Sequence, residues 1–246
     1  EQASRIQAII FDKTGTLTEG KPSVTDLVPF ATDDSSLDEA RLLQIAAIAE
    51  RDSEHPLARA IVAEAEARGL DLPPTRDFKA IAGGGVMATV DGKTVLIGTP
   101  ALLDTHGVAL PDSVTERMSA LQAQGRTVML VAVESRIAGL IALADRIRPS
   151  AYETIAALQA LGIQVAILTG DNRRTAEAVG KELGVSQVFA EVQPADKANY
   201  VRRLQEQGLF TAMVGDGVND APLPRPTWGS RSAQAQVWPS RRRRSC

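Results

Sequence analysis

The chain has 246 residues, 44% of them hydrophobic, which is enough for one large or two smaller domains with their own cores. Charged residues make up 23% and the net charge is -3, so the composition argues against a nucleic-acid partner, and Arg241 to Arg244 read as a solvated tail. Cys246 is the one cysteine, which excludes a disulfide within the chain, and no apolar run approaches the ~20 residues that cross a bilayer.

In chain order, residues 6–11 (I-Q-A-I-I-F) form an almost continuous apolar run, as a parallel strand covered on both faces requires, and lead straight into Asp12. From Val24 to Ile137 the rhythm changes. Segments 37–49 and 56–68 have helical periodicity. Segments 85–90 and 94–97 flank Asp91-Gly92, a pair that favours a tight hairpin. Residues 113–124 read as a helix, and 127–133 and 137–143 as strands. Beyond Ala151 the order is helix 151–161, strand 163–168, helix 175–183 closed by Gly184, strand 188–190, helix 196–205 closed by Gly208, and strand 210–214. Strands alternating with helices predict an α/β fold with a doubly wound parallel sheet. The middle segment predicts an inserted α+β domain over 24–137, entered near Gly20-Lys21-Pro22 and left near Ser135-Arg136. Segments 1–23 and 138–222 form the sheet domain.

The polar motifs follow strand ends, where open α/β sheets bind ligands. Asp12 precedes Lys13-Thr14-Gly15-Thr16-Leu17-Thr18. A carboxylate there can attack a phosphoryl group, because the loop's N–H groups can hold the transferring oxygens, and Gly15 lets the backbone approach. Thr169-Gly170-Asp171 and Gly215-Asp216-Gly217-Val218-Asn219-Asp220 sit at two further strand ends. Taken singly they are ordinary: Asp171 would cap a helix, and Lys197 would be a surface lysine.

As an ordered set over 6–222, these strings resemble the P-type ATPases, whose phosphorylation motif is D-K-T-G-T-L-T. The resemblance implies a haloacid dehalogenase-like phosphorylation domain in which Asp12 becomes an aspartyl-phosphate. It implies that Asp12, Asp216 and the Thr14 main-chain carbonyl hold Mg2+, a cation that neutralises charge developing on a phosphoryl group. It further implies that Thr169 and Gly170, beside Asp171, bind phosphoryl oxygens, that Lys197 neutralises the phosphate, and that Asn219 and Asp220 complete the polar shell. Asp145-Arg146-Ile147-Arg148-Pro149 resembles the hinge of these pumps; an exposed charged turn is the plainer reading.

Ser53-Glu54-His55-Pro56 opens a helix, with Ser53 suited to the cap and Pro56 to the first turn. That leaves His55 unexplained. The string resembles the Ser-x-His-Pro motif of the heavy-metal (CPx-type) pumps, whose imidazole packs on adenine. Glu50 matches their adenine-contacting glutamate, and Gly83-Gly84-Gly85-Val86 their G-x-G-V loop. Gly98-Thr99 falls where the family often has Gly-Asn; Thr99 departs from that pattern. His106 reads as a helix-end residue.

The resemblance thus implies the ATP-binding and phosphorylation part of a heavy-metal pump. It looks most like the copper exporters, with zinc or cadmium pumps and a soluble haloacid dehalogenase-like phosphatase as alternatives. ATP and Mg2+ are the implied cofactors. The implied partners are membrane and actuator domains of the same pump, with this part facing the cytoplasm and, by itself, soluble and monomeric.

After Pro222 the composition breaks. The family continues with an apolar strand; this chain has Leu223-Pro224-Arg225-Pro226, then Gln, Trp and Arg residues. Regrouping codons for 226–240 by one base can spell A-D-V-G-I-A-I-G-A-G-T-G-V-A-V, close to the family continuation. Residues 223–246 therefore read as a frameshifted tail, with a vector-derived tail as the alternative, and are expected to be loose coil that leaves the last sheet position empty.

Overall fold

The computed structural model describes residues 6–30, 37–193, 196–206, 208–215 and 234–238. They form two compact units, one within Glu1–Gly20 and Asp145–Cys246, the other within Lys21–Ala144. Among the described residues, no helix is long and apolar enough to cross a membrane.

The first unit opens with β1 (Ala8–Asp12), whose residues are all buried, followed by the loop at Lys13–Leu17. β2 (Thr18–Pro29) carries the chain out of this unit. The second unit continues with α1 (Glu39–Glu50), α2 (Pro56–Ala67), β3 (Arg76–Ile81), β4 (Gly85–Val90) and β5 (Lys93–Gly98). It ends with α3 (Pro100–Thr105), α4 (Asp112–Gln122), β6 (Thr127–Val133) and β7 (Arg136–Ile147), the last of which returns the chain to the first unit. Its six-stranded sheet has the order β2-β7-β6-β5-β4-β3, and β3 through β7 pair antiparallel with their sequence neighbours.

Period-two alternation gives this sheet two apolar faces. Val86, Ala88, Val131 and Ile141 pack with Leu42, Ile45 and Ile61 of α1 and α2. Leu130, Ala132 and Leu140 pack with Leu103, Val114, Met118 and Leu121 of α3 and α4. The expected hairpin forms at Asp91-Gly92, both with positive φ (50° and 77°), and pairs Val90 with Lys93. Sequence pattern did not mark β2, β3 or α3. β2 contains Gly20, Lys21, Pro22 and Pro29, and β3 is largely exposed, so neither shows the apolar alternation of a half-buried strand. Both are sheet edges, where such residues are tolerated.

The first unit resumes with α5 (Pro149–Ala160), β8 (Gln164–Leu168), α6 (Arg173–Glu182), β9 (Gln187–Phe189), α7 (Lys197–Glu206), β10 (Thr211–Gly215) and β11 (Gln234–Trp238). Its sheet order is β11-β10-β1-β8-β9, with β10, β1, β8 and β9 parallel. The apolar run of β1 is divided between two cores. Ile9 and Phe11 pack with Ile155 of α5 and Val179 of α6, while Ala8 and Ile10 pack with Val201 and Leu204 of α7. Coverage on both faces is what the run required, and the doubly wound sheet is present. Gly184 follows α6 with φ 69°, as its C-cap position demands.

One expectation fails. Residues 234–238 are not coil: they pair antiparallel with β10, from Thr211↔Trp238 to Gly215↔Gln234. The physical reason is the open edge of β10, whose backbone N–H and C=O groups accept any uncharged, proline-free segment that reaches them. Gln-Ala-Gln-Val-Trp is such a segment. The rest of the tail lies outside the described residues.

Candidate active site and nucleotide site

In the first unit the strand register builds the site. Asp12 is the last residue of β1 and pairs with Leu168, the last of β8, so Thr169 follows beside it. On the other side Phe11 pairs with Val214, so β10 ends at Gly215 beside Asp12. Asp216, Asn219 and Asp220 come next in the chain but lie outside the described residues.

Asp12 is 6% exposed, and its carboxylate accepts a hydrogen bond from the Lys197 ammonium, itself 6% exposed, in an ion pair. Two charges removed from water are tolerable only when paired. α7 begins at Lys197 and packs on the same face of the sheet as Ile10, which is how it delivers this side chain. A second ion pair joins Lys13 to Asp171, tying the loop after β1 to the loop after β8. Asp171 therefore does not cap α6. Asn172 does, accepting from Thr175 N–H at 3.0 Å. Thr169 is 2% exposed; its hydroxyl accepts from Asp171 N–H at 3.1 Å. Gly170 meets no steric demand, since a Cβ there would stand 3.5 Å from Val192 O.

The loop after Asp12 is held by its own chain. Thr14 is extended (φ -74°, ψ 126°) and exposed; Gly15 takes φ 77°, which glycine adopts without penalty. The Thr18 hydroxyl accepts from Gly15 N–H at 3.2 Å and donates to Asp145, which also accepts from Gly20 N–H at 3.1 Å. Arg148 donates from Nε to Thr18 O at 2.8 Å, and its backbone N–H to Leu17 O at 2.9 Å. Asp145 and Arg148 thus clasp the loop rather than forming a free charged turn. Sequence reasoning gave Lys13 and Thr18 no role, although both stand inside the seven-residue string.

For Mg2+, Asp12 offers a hard carboxylate oxygen suited to that cation. Among the described residues, no group of three or more His, Cys, Asp or Glu converges on a metal site, and Asp216 is outside them.

In the second unit, Glu50 ends α1 and is 2% exposed. Burial pushes its carboxyl up to about 7, opposed in part by a hydrogen bond with Ser53. Ser53 is not the cap of α2. His55 is: its Nδ1 accepts from Leu57 N–H at 3.2 Å, with Pro56 in the first turn. The Ser53 hydroxyl instead accepts from His55 N–H at 3.4 Å. Partial shelter lowers the imidazole pKa, so the ring is neutral near pH 7. With Nδ1 accepting, the proton resides on Nε2. Glu54 is exposed.

Gly83 to Gly85 turn from β3 into β4, and Gly85 pairs with Gly98 at the end of β5. Ile48 and Ala49 of α1 belong to the same core as Val86 and Ile97 of β4 and β5. Val86 is 4% exposed within that core, so its packing alone accounts for it. Thr99 caps α3, its hydroxyl accepting from Leu102 N–H at 3.3 Å. His106 ends α3, its Nδ1 2.9 Å from Leu102 O.

Glu50 has a measurable consequence. A folded-state pKa raised from 4.5 to about 7 means the native unit holds a proton the unfolded chain releases. The stabilisation is full below pH 4.5 and is lost as pH rises to 7. At 1.36 kcal/mol per pKa unit, the loss is about 3 kcal/mol. Glu50→Gln is expected to stabilise the chain by up to that amount at pH 8 and hardly at all at pH 4.5. Urea melts at the two pH values measure this; equal effects at both would overturn it.

The haloacid dehalogenase-like hydrolase family matches residues 6–225. The chain is 46% identical over 226 residues to the copper-exporting P-type ATPase of Bacillus subtilis (strain 168), covering 90% of this chain and 27% of that protein. It is 49% identical over 222 residues to copper-exporting P-type ATPase B of Archaeoglobus fulgidus, covering 90% of this chain and 31% of that protein. Among solved structures, a zinc-transporting PIB-type ATPase in the E2.Pi state superposes with TM-score 0.63 at 41% identity, over 90% of this chain and 35% of that one. The catalytic CPx-ATPase domain CopB-B superposes with TM-score 0.64 at 28% identity, over 89% of this chain and 74% of that one. The chain thus spans about a third or less of the length of the curated pumps it matches. On its motifs, its sheet and this match, the chain belongs to the haloacid dehalogenase-like hydrolases and corresponds to the catalytic portion of P-type ATPases.

Proposed function

We propose that this chain is the ATP-binding and phosphorylation part of a heavy-metal pump, with copper as the cargo, and that it hydrolyses ATP through an aspartyl-phosphate at Asp12. The observation that carries the reading is Asp12 itself: a buried carboxylate at a strand end, paired with Lys197 and flanked by the ends of β8 and β10. An Asp12 carboxylate oxygen attacks the γ-phosphorus in line. The bond from that phosphorus to the bridging oxygen breaks, and ADP leaves with the electron pair. Water later cleaves the acyl phosphate, releasing phosphate and regenerating the carboxylate. Positioning and charge neutralisation carry most of such a reaction. Lys197 supplies a fixed positive charge beside the acceptor. Mg2+, held by Asp12 with Asp216 and the Thr14 carbonyl, would neutralise charge on the phosphoryl oxygens. Glu50, Ser53, His55, Gly83, Gly85 and Gly98 form the nucleotide site, the neutral imidazole of His55 stacking on the base.

Copper is favoured by the curated relatives named as copper exporters at 43–49% identity. Zinc is the second reading, supported by the zinc-transporting structure at 41% identity. Membrane helices and an actuator domain of the same pump are the proposed partners. A soluble phosphatase is disfavoured by Thr14, because such enzymes usually carry a second Asp there as acid–base. Incubation with γ-labelled ATP tests the proposal. Label that survives acid and is released by hydroxylamine is expected. Rapid turnover of small phosphate esters with no trapped label would replace the pump reading with a phosphatase.

The frameshift reading of 223–246 fits a family match that stops at residue 225. Sequencing the coding DNA across 222–226 tests it: one restored base should reopen the family continuation.

A further inference from the structure

The two sheets have edges at β2, β3, β9 and β11. A bare edge strand is a template for pairing with another chain, and proteins protect edges with charge, proline, bulges or brevity. β2 carries Lys21, Pro22 and Pro29. β3 carries Arg76, Asp77 and Lys79 and is bulged, with Asp77 at φ 51° and a register shift between Arg76 and Lys79. β9 is three residues long. β10 has none of these devices. Its sequence, Thr-Ala-Met-Val-Gly, has no charge and no proline, and its side away from β1 would present unpaired backbone groups. That side is the one β11 covers, over the full length of β10.

We infer that the outer edge of β10 is a strand-docking site whose occupant is this chain's own segment 234–238, and that this occupancy keeps the chain monomeric. β11 is an uncharged strand taken from a tail unlike the family continuation, yet it lies next to Pro239 and Arg241 to Arg244. Flanking a strand in sequence, proline and arginine are residue types that oppose addition of a further strand. The docking also fixes the end of β10, where Gly215↔Gln234 is the last pair before Asp216. A second copy is the competing occupant, since it presents the same bare edge when β11 is removed.

The test uses the full chain and two variants. One stops after Pro222. The other carries Ala235→Pro with Gln236→Pro; adjacent strand residues point their N–H groups to opposite sides, so one proline removes a bond to β10. Light-scattering mass across a concentration series is combined with hydrogen exchange of 211–215. The full chain is expected to stay monomeric with 211–215 protected. Both variants are expected to exchange there at least ~10-fold faster and to gain mass with concentration. A synthetic peptide of residues 232–240 should reverse both changes. The inference is overturned if the full chain already self-associates, if 211–215 exchange unchanged in the variants, or if the variants stay monomeric. Should a variant also lose protection in β1 and β8, recovery with the peptide supports the inference and no recovery overturns it.

Discussion

Asp12→Asn will leave no hydroxylamine-sensitive phosphoenzyme. The side chain keeps its shape but loses the nucleophilic carboxylate. Asp171, the described acid across the loop, is committed to Lys13 and sits beyond β8. Removing a covalent nucleophile typically costs several orders of magnitude, so acid-stable label should fall at least about 1000-fold, to background. The variant should lose some stability, because the amide oxygen can still accept from Lys197 but no longer balances its buried charge, while the β1 ladder is untouched. ATP affinity should change little if Glu50 and His55 carry the base. The decisive comparison is label against equilibrium ATP binding in the same protein. Persistent label on the variant would move the acceptor elsewhere. Loss of ATP binding together with label would point to misfolding.

Gly85→Ala is expected to cost about 3–5 kcal/mol, which combines overpacking with strain at a positive φ. Gly85 has φ 144°, and a Cβ there would lie 1.9 Å from Ile97 O; one on Gly98 would lie 2.0 Å from Gly84 O. These glycines face each other across the β4–β5 ladder, so a methyl group on either forces backbone apart. No side chain can swing away to relieve it. Against a total stability of about 5–15 kcal/mol, this is enough to compromise the second unit. Gly83 is the control: its φ is 71°, but a Cβ there would meet nothing within 4 Å. Gly83→Ala should cost only about 1–2 kcal/mol, and it should weaken ATP binding if that open side faces the nucleotide. Denaturant melts of the two variants give the answer. Equal midpoints would refute the steric account of Gly85.

Much of the site was legible because its logic is local. An apolar run followed by Asp12 and a glycine–threonine loop already places a carboxylate at a strand end. The same holds for Thr169 after β8 and Gly215 after β10. Helical periodicity found α1, α2, α4, α5 and α6, and Asp91-Gly92 found its hairpin. Local pattern failed at edges. β2 and β3 are polar because one side of each meets no further strand, so burial imposes less alternation on them. Pattern also failed where two residue types compete for one role: His55 caps α2 in place of Ser53, and Asn172 caps α6 in place of Asp171.

By itself, then, the sequence determined the family, the doubly wound sheet and the strand end at which Asp12 stands. Those depend on residues adjacent in the chain and on the period of burial. The tertiary structure alone decided the partners. Lys13 meets Asp171 across 158 residues and Lys197 meets Asp12 across 185, and the tail strand finds β10 from beyond the family match. Which strand ends meet depends on sheet order. Sheet order follows from covering both faces of β1 at once, a condition on the whole unit that no short window of sequence contains.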